Sequence, residues 1–313
     1  MTKVPHILNR TNEFILNSER SQYYFTKSSS FTRKRSLDLE NICHFMLSNG
    51  NRSLSIELSE YFSNKGQKSC TKSAFSRSRY QIKPQFFKDW YQHSVASIYE
   101  IEKNSGKECG LKTWKGFSLK GIDGSSLYLL KNELLQQEFG GQNNQFGAVA
   151  MARLGFCIDL LNGYCTNATI LPYSQGEQVF AKIFLEESSE KDLLIYDRYY
   201  ASYGLIYEHL EQKRDFVMRC KVGWTKEVKA FVLSKKKQLI IQIPISNEAH
   251  KSLLSQGYKV AKTDNVKVRL LRIDIGQQEP EILITSLLNT KKYLHKCFKE
   301  LYNYRWVGPP MRL

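Results

Sequence analysis

Long apolar runs are missing from this sequence. None reaches the roughly 18 residues that a membrane span needs, and the polar start Met1-Thr2-Lys3-Val4-Pro5-His6 lacks the apolar region of a signal peptide. The seven cysteines are odd in number, widely scattered and never form a Cys-x-x-Cys pair, which argues against a zinc site and a disulfide framework. We therefore expect a globular protein that is cytoplasmic or nucleoid-associated and does not bind a membrane.

Acidic residues are also scarce. The 30 Asp and Glu residues face 46 Lys and Arg residues, so the formal net charge is +16. Such a charge attracts a polyanion over long range, with an affinity that falls as salt rises. Nucleic acid is the leading partner, although ribosomal and membrane-surface proteins are also basic. With 313 residues and 42% hydrophobic content, the chain is long enough for two or three domains.

The first third of the chain is predicted to be an N-terminal arm (1–30) followed by a helical DNA-binding region (31–110). Apolar stripes predict short helices after Ser36 and Ser53, a third over 71–82, and a fourth that opens at Pro84. The candidate DNA-binding residues are basic side chains before the first helix and on the third: Arg33, Lys34, Arg35, Lys72, Arg77 and Arg79. The alternative is that the third helix simply presents a solvated face.

From about residue 113 the pattern changes to short apolar runs that predict strands, then a helix over 175–187, a strand over 193–196 and a helix over 202–212. This order predicts an α/β fold, a mixed sheet covered by helices, with its first part over 111–215. The segment 216–285 is β-rich. We expect an insertion and a return strand there, because its length exceeds an ordinary connection, but it could also continue the main sheet. The Gly140-Gly141 loop lacks P-loop spacing and is assigned no chemistry.

Two aspartates follow apolar strands: Asp123 after the run that starts at Phe117, and Asp197 after Leu193-Leu194-Ile195-Tyr196. Carboxylates held together on rigid strands can bind divalent ions, and Mg²⁺ prefers such oxygen ligands. The alternative is that Asp123-Gly124 is a turn and Asp197-Arg198 a surface ion pair. By themselves, two aspartates do not decide between these interpretations.

Several further motifs accompany the two aspartates. They are Phe31-Thr32-Arg33-Lys34-Arg35, Thr71-Lys72-Ser73-Ala74-Phe75 with Arg79, Asp123-Gly124-Ser125, Tyr196-Asp197-Arg198-Tyr199-Tyr200-Ala201-Ser202, Ile284-Thr285-Ser286-Leu287 and Tyr302-Asn303-Tyr304-Arg305-Trp306. With them, most of the chain resembles DDE transposases of the insertion-sequence-four family. The resemblance implies a ribonuclease-H-like catalytic core with a β-rich insertion, a helical N-terminal DNA-binding region, and DNA strand cleavage and transfer with Mg²⁺ or Mn²⁺. It also implies that Asp123 and Asp197 are the first two catalytic, metal-binding carboxylates.

The C-terminal segment (286–313) departs from this family. The family signature is a tyrosine, two residues, an arginine, three residues, a glutamate, six residues and a lysine. Tyr302 and Arg305 match its first half and are further candidate DNA contacts, but position 309 is Pro309. We therefore expect an incomplete catalytic helix without a third carboxylate, after a truncation, frameshift or sequence error beyond Trp306. Glu300 is a poor replacement because it precedes Tyr302, and packing on a last helix is the alternative role for Tyr302 and Arg305.

The sequence thus predicts a DDE transposase that acts on double-stranded DNA, both at terminal inverted repeats and at target DNA, with a homodimer on paired ends as one possible assembly. Its activity is expected to be impaired because the third carboxylate is missing. The first alternative is a non-catalytic DNA-binding remnant that occupies transposon ends and competes with full-length transposase. The second is a ribonuclease-H-like nuclease that is not mobile.

Overall fold

The computed structural model describes residues 4–18, 22–32, 37–48, 50–104, 110–145, 147–274 and 280–307. The chain divides into two compact units, Met1–Leu111 and Lys112–Leu313, here called unit 1 and unit 2. Within the described ranges, no helix is long and apolar enough to cross a membrane. The predicted DNA contacts Arg33, Lys34 and Arg35, and also Pro309, lie outside the described residues.

Unit 1 is helical. Its helices are α1 (Val4–Ser18), α2 (Leu39–Ser48), α3 (Leu54–Asn64), α4 (Lys72–Arg79) and α5 (Pro84–Asn104), with a short 3₁₀ helix at Gln22–Tyr24. The segment predicted as an arm thus contains α1, whose Ile15 is fully buried in the core of this unit. Thr71 caps α4, since its side chain accepts a hydrogen bond from the backbone N–H of Ala74. Aromatic residues such as Phe62 and Phe86 complete the core.

Unit 2 contains a sheet of nine strands with helices on both faces. The strands are β1 (Ser118–Tyr128), β2 (Gly141–Asn144), β3 (Gly147–Asp159), β4 (Tyr164–Pro172), β5 (Asp192–Tyr196), β6 (Asp215–Cys220), β7 (Gln238–Pro244), β8 (Asn265–Ile273) and β9 (Glu281–Thr285). The helices are α6 (Glu133–Phe139), α7 (Gln178–Glu186), α8 (Tyr203–Glu211), α9 (Lys226–Leu233), α10 (Asn247–Ser255) and α11 (Cys297–Val307). This is the mixed α/β fold that the sequence predicts.

The sheet is mixed in direction. Its order is β2-β3-β1-β5-β6-β9-β8-β7, and β4 pairs with β3. The β1–β5 and β5–β6 pairs are parallel, whereas the others are antiparallel. Side chains alternate along β5: Leu194 and Tyr196 pack in the core that includes α7 and α8, while Leu193 and Ile195 pack in the core that includes α11. Both faces of the central strands are therefore buried.

The β-rich segment 216–285 continues this sheet. Strand β6 pairs with β5 on one side and with β9 on the other, and β8 then joins β9 to β7. The segment therefore extends the main sheet. This is the alternative to the insertion that the sequence led us to expect. Short helices α9 and α10 occupy the connections and cover one face through Phe231 and Leu253.

Candidate functional site

The parallel pairing of β1 and β5 aligns the two aspartates. The paired residues run from Ser118 with Asp192 to Gly121 with Ile195. The same register, extended by two residues, sets Asp123 opposite Asp197. Asp123 lies inside β1, where it pairs with Phe156 of β3, so Asp123-Gly124 is not a turn. One carboxylate therefore lies in β1, and the other directly follows the neighbouring strand β5.

Asp123 is half-buried, and its pKa is raised above the ordinary value for an aspartate. Burial is the largest cause, and repulsion from Asp197 adds to it. The positive charge of Arg305 and a hydrogen bond from the Gly124 backbone N–H act in the opposite direction. The carboxylate thus lies in a partly desolvated site where a nearby cation stabilises its charged form.

Asp197 is held from two sides. Its Oδ1 atom accepts a hydrogen bond of 2.6 Å from the backbone N–H of Tyr199. Its Oδ2 atom lies 3.8 Å from Nη2 of Arg305, whose side chain is only 7% exposed. The guanidinium of Arg198, the residue next in sequence, lies instead over the ring of Tyr199. The cation that faces Asp197 therefore comes from α11. The sequence does not indicate this pair, because Arg305 is far from Asp197 along the chain.

A third carboxylate, that of Glu177, lies in the same region. Glu177 directly precedes α7, and its side chain makes no capping hydrogen bond to that helix. A Cβ atom added to Gly124 would lie 3.3 Å from Cγ of Glu177. Burial raises the pKa of Glu177, and the charges of Asp123 and Asp197 raise it further, whereas Arg153 lowers it. Three acidic side chains thus influence one another beside the middle of β1 and the end of β5.

Tyr200 places an unusual polar atom beside these carboxylates. The residue is fully buried, and its hydroxyl has no hydrogen-bond partner in the part of the chain that the structure describes. Burial raises the pKa of Tyr200, as do the negative charges of Glu177, Asp123 and Asp197. The site therefore holds a buried hydroxyl group without a hydrogen-bond partner among the described residues.

The two predicted C-terminal residues, Tyr302 and Arg305, take different positions. Tyr302 is 1% exposed and packs in the core, and its hydroxyl donates to the backbone carbonyl of Tyr196 over 3.5 Å. Its ring has no open face for stacking on DNA, so packing on the last helix describes it better. Arg305 instead faces Asp197. Glu300 is exposed and accepts a hydrogen bond from the Tyr304 hydroxyl at 3.0 Å.

The oxygen ligands of this site suit Mg²⁺ or Mn²⁺ in kind, because these ions prefer carboxylates and retain several waters. Within the described ranges, however, no group of three or more His, Cys, Asp or Glu side chains is arranged to hold a metal ion. The unpartnered Tyr200 hydroxyl and the carboxylates of Asp123 and Asp197 nevertheless form a polar centre inside the fold. The donor chemistry fits a divalent ion, with Asp123 and Asp197 as the residues that would hold it.

The remaining predicted DNA contacts that are described lie on α4 of unit 1. Lys72, Arg77 and Arg79 are exposed, while Phe75 is buried and anchors the helix. No acidic residue lies on α4. Arg77 also lines a cavity of about 550 Å³ together with Lys27 and Tyr80. The helix therefore presents a basic surface to solvent.

Sequence reasoning missed Glu177 and the role of Tyr200 in this site. Tyr200 belongs to the Tyr199-Tyr200-Ala201-Ser202 motif, which was a usable signal. Glu177 has no such signal, because its position results from packing. Phe180 of α7 lies against Gly124 and Gly155, which pair with each other across β1 and β3.

The fold and this site define a mixed α/β protein with one aspartate inside β1 and another directly after the adjoining strand β5. The family model described as "Transposase DDE domain" matches residues 122–307, more than half of the chain. The chain belongs to that family. Proteins of this family generally use divalent metals.

Two other comparisons add little. No curated protein matches the chain. A solved structure described as "Cryo-EM structure of piggyBac transposase synaptic complex with hairpin DNA" is similar over 97% of this chain, with 9% sequence identity and a TM-score of 0.39. The chain spans 64% of the length of that protein.

Proposed function

We propose that this protein is a DDE transposase of the insertion-sequence-four family, which cuts and joins transposon ends by two-metal phosphoryl transfer. The observation that carries this proposal is the parallel register of β1 and β5, which aligns Asp123 with Asp197 when it is extended by two residues beyond Gly121 and Ile195. The match to the transposase domain, which begins at residue 122, supports it. The β1-β3-β4 meander with β5 and β6 parallel to β1 is the part that we propose as the ribonuclease-H-like core.

In this proposal, Asp123 and Asp197 bind Mg²⁺, or Mn²⁺ in its place. When bound, a divalent ion supplies positive charge that stabilises the attacking and leaving oxygens of phosphoryl transfer. Arg305 holds Asp197 in position and can also donate to a phosphate oxygen. Tyr200 contributes a buried hydroxyl that has no hydrogen-bond partner among the described residues. The half-buried position of the site limits competition from water.

We further propose that catalysis by this chain is impaired. The family signature has a glutamate four residues after the arginine, and the residue at this position is Pro309. Proline has no carboxylate and opposes the continuation of a helix. Glu177 does not reproduce a metal-holding cluster in the described structure.

The test is cleavage of a DNA duplex that carries the end of the element encoding the protein, with Mn²⁺ and with Mg²⁺. We expect binding without efficient cleavage. Cleavage that is abolished by Asp123→Asn would support the transposase assignment and contradict the impairment. If the protein neither binds nor cuts such DNA, and Asp123→Asn and Asp197→Asn leave Mn²⁺ affinity unchanged, the proposed function is wrong.

The second candidate function is non-catalytic occupation of transposon ends in competition with full-length transposase. The exposed basic surface of α4 favours it, since this surface lies in a compact unit separate from the aspartates. Its expected signature is binding to terminal inverted repeats that weakens steeply with salt and is unaffected by Asp197→Ala. Binding that requires Asp197 would exclude this interpretation.

A further inference from the structure

A guanidinium group without an opposite charge lies close to the carboxylates of unit 2. Arg153 of β3 is only partly exposed, and the described residues supply no carboxylate within ion-pair distance of it. Its Nη1 atom donates to the Ser126 hydroxyl at 2.8 Å, and its Cζ atom lies 4.6 Å from the centre of the Tyr173 ring. Neither contact supplies a negative charge. Because a partly desolvated charge without a counter-charge is unfavourable, a bound anion would stabilise this arrangement.

The contacts of Arg153 hold its guanidinium in one orientation. Ser126 and Arg153 pair in register across β1 and β3, so their side chains leave the same face of the sheet. Tyr173 directly follows β4, and its ring is itself held in place. Its hydroxyl accepts a hydrogen bond from Gln142 of β2, and its backbone N–H donates to the Phe139 carbonyl at 2.7 Å. The guanidinium is therefore positioned before any ligand arrives.

One donor of this guanidinium remains for a ligand. Nη1 is used by Ser126, and Nε is enclosed and has no partner in the described part of the chain. Nη2 is the remaining nitrogen, and the described residues offer it no acceptor. Ser126 and Gln142, which contact Arg153 and Tyr173, are both exposed. The group thus borders solvent, from which a ligand can approach.

Arg153 lies next to the acidic residues without pairing with them. Gly124 and Ser126 are two residues apart on β1, so they share a face and are separated by about 7 Å. Glu177 lies against Gly124, and Arg153 bonds to Ser126. Burial raises the pKa of Glu177, whereas the charge of Arg153 lowers it. The guanidinium is therefore close enough to influence the acidic site, yet its charge is not used there.

We propose that Arg153, Ser126 and Tyr173 form a phosphate-binding subsite for the DNA strand that reaches the carboxylates, with Nη2 of Arg153 donating to a phosphate oxygen. A planar guanidinium held on an aromatic ring suits a phosphate better than an ammonium group does. Such a contact fixes the register of the strand and does not read its sequence. The choice of DNA rests on the proposed function, whereas the need of Arg153 for an anion does not.

The first test compares duplex binding by the full chain and its variants, in EDTA so that no strand is cut. The probe is a duplex that carries the end of the element. Arg153→Gln should weaken binding about tenfold and lower the slope of log affinity against log salt by about 0.9, the value for one lost phosphate contact. Lys191→Gln removes the same charge from an exposed position at the opposite end of β5 from Asp197, and it should leave the slope unchanged.

A second measurement identifies the phosphate. Single phosphates of the duplex are replaced in turn by neutral methylphosphonate, and each duplex is titrated with wild type and with Arg153→Gln. At the phosphate that Arg153 contacts, the replacement should weaken wild-type binding about tenfold and have almost no further effect on Arg153→Gln. At the other phosphates the two effects should multiply. A misfolded variant loses affinity for every duplex by the same factor, so this coupling isolates the contact.

Two substitutions of Tyr173 test its support of the guanidinium. Tyr173→Leu removes the ring and should weaken duplex binding about two- to fivefold, while Tyr173→Phe keeps the ring and should change it by less than about twofold. In the Arg153→Gln background neither substitution should matter. If Tyr173→Leu has the same effect in both backgrounds, the ring does not act through Arg153 and this part of the subsite is wrong.

The outcomes separate the subsite from the proposed function. If the effects multiply at every phosphate and Arg153→Gln has the same slope as Lys191→Gln, Arg153 contacts no phosphate, even though the protein binds the duplex. Competition by inorganic phosphate that Arg153→Gln removes, without coupling to any methylphosphonate, would overturn DNA as the source of the anion. Coupling at a single phosphate without cleavage in Mn²⁺ would support the subsite in an impaired enzyme. A protein that binds no element end would contradict both the subsite and the proposed function.

Discussion

Glu177 shows how one residue can enter the acidic site without a sequence motif. Its carboxylate makes no capping hydrogen bond. Burial raises the pKa of this carboxyl most, and the charges of Asp123 and Asp197 raise it further. The negative charges of Asp123 and Asp197 attract a divalent cation, and the charge of Glu177 strengthens that attraction. Glu177 is therefore expected to influence metal affinity through its charge, even though the described residues hold no preformed metal cluster.

We predict that Glu177→Gln weakens Mn²⁺ binding to the protein by roughly threefold to tenfold, since it removes one charge and preserves the shape of the side chain. Electron paramagnetic resonance of free Mn²⁺ measures this directly. Glu186→Gln, at an exposed position on α7, is the matched control. Equal effects of the two substitutions would show that only total charge matters.

His209 is a buried residue whose two ring nitrogens are both satisfied. Nδ1 lies 3.0 Å from the Arg214 carbonyl oxygen, which can only accept, so Nδ1 carries the proton. Nε2 then accepts from the Tyr196 hydroxyl at 2.9 Å. Burial lowers the pKa of His209 to about 3, although the bond to Arg214 acts against this. The native state therefore requires a neutral imidazole.

This requirement predicts a loss of stability in acid. The unfolded chain binds a proton at His209 below about pH 6.5, whereas the folded chain does not until about pH 3. The contribution is thus fully present above pH 6.5 and lost as pH falls toward 3, by up to about 1.4 kcal/mol per pH unit. Urea unfolding of wild type and His209→Gln at several pH values measures this loss of stability. Hydrogen exchange of the β5 and β6 amides locates it. An unchanged pH slope in His209→Gln would contradict this account.

At the scale of elements, the end of β5 was predictable, whereas the end of β1 and the pairing of the strands were not. The prediction that Asp123 follows a strand was wrong, because β1 continues to Tyr128. The apolar run Leu193-Leu194-Ile195-Tyr196 predicts β5, and Asp197 follows directly. The sequence around β5 does not indicate which strand pairs with β5. For the same reason, the segment 216–285 was expected to form an insertion and a return strand, and its strands β6 to β9 continue the main sheet. Short apolar strands are similar to one another, and tertiary packing selects their partners.

The position of α7 depends on two glycines that only the folded structure relates. Gly124 and Gly155 face each other in register on β1 and β3, and Phe180 of α7 packs on both. A Cβ atom at Gly155 would come within 2.4 Å of the Phe180 ring. Because Glu177 lies one turn before Phe180, this contact also places Glu177 near Asp123.

We predict that Gly155→Ala destabilises unit 2 by about 1–3 kcal/mol, the usual cost of overpacking, because the aromatic ring must move. Denaturant unfolding provides the measurement. Gly176→Ala, where an added Cβ would meet nothing within 4 Å, should change stability by less than about 0.5 kcal/mol. If both variants are equally stable, Phe180 is not held by these glycines.

For the whole molecule, the net charge of +16 gives a long-range attraction to DNA, but it does not say which unit binds. Unit 1 contains a basic helix without acidic residues. Unit 2 contains the aspartates and also an exposed basic turn, Lys235-Lys236-Lys237. Both units can thus contribute to electrostatic attraction, while only direct phosphate contacts release a defined number of counterions.

This difference supports a test of α4 in the full chain. We predict that replacing Lys72, Arg77 and Arg79 together with Ala weakens binding to duplex DNA and lowers the slope of log affinity against log salt by about 3, near one per lost phosphate contact. Replacing Lys235, Lys236 and Lys237 with Ala removes the same charge and should change the slope by less than about 1. Fluorescence anisotropy from about 50 to 200 mM salt covers the needed range. Similar slopes for the two triple variants would mean that α4 contributes only to the general field, and the DNA-binding role assigned to it would be lost.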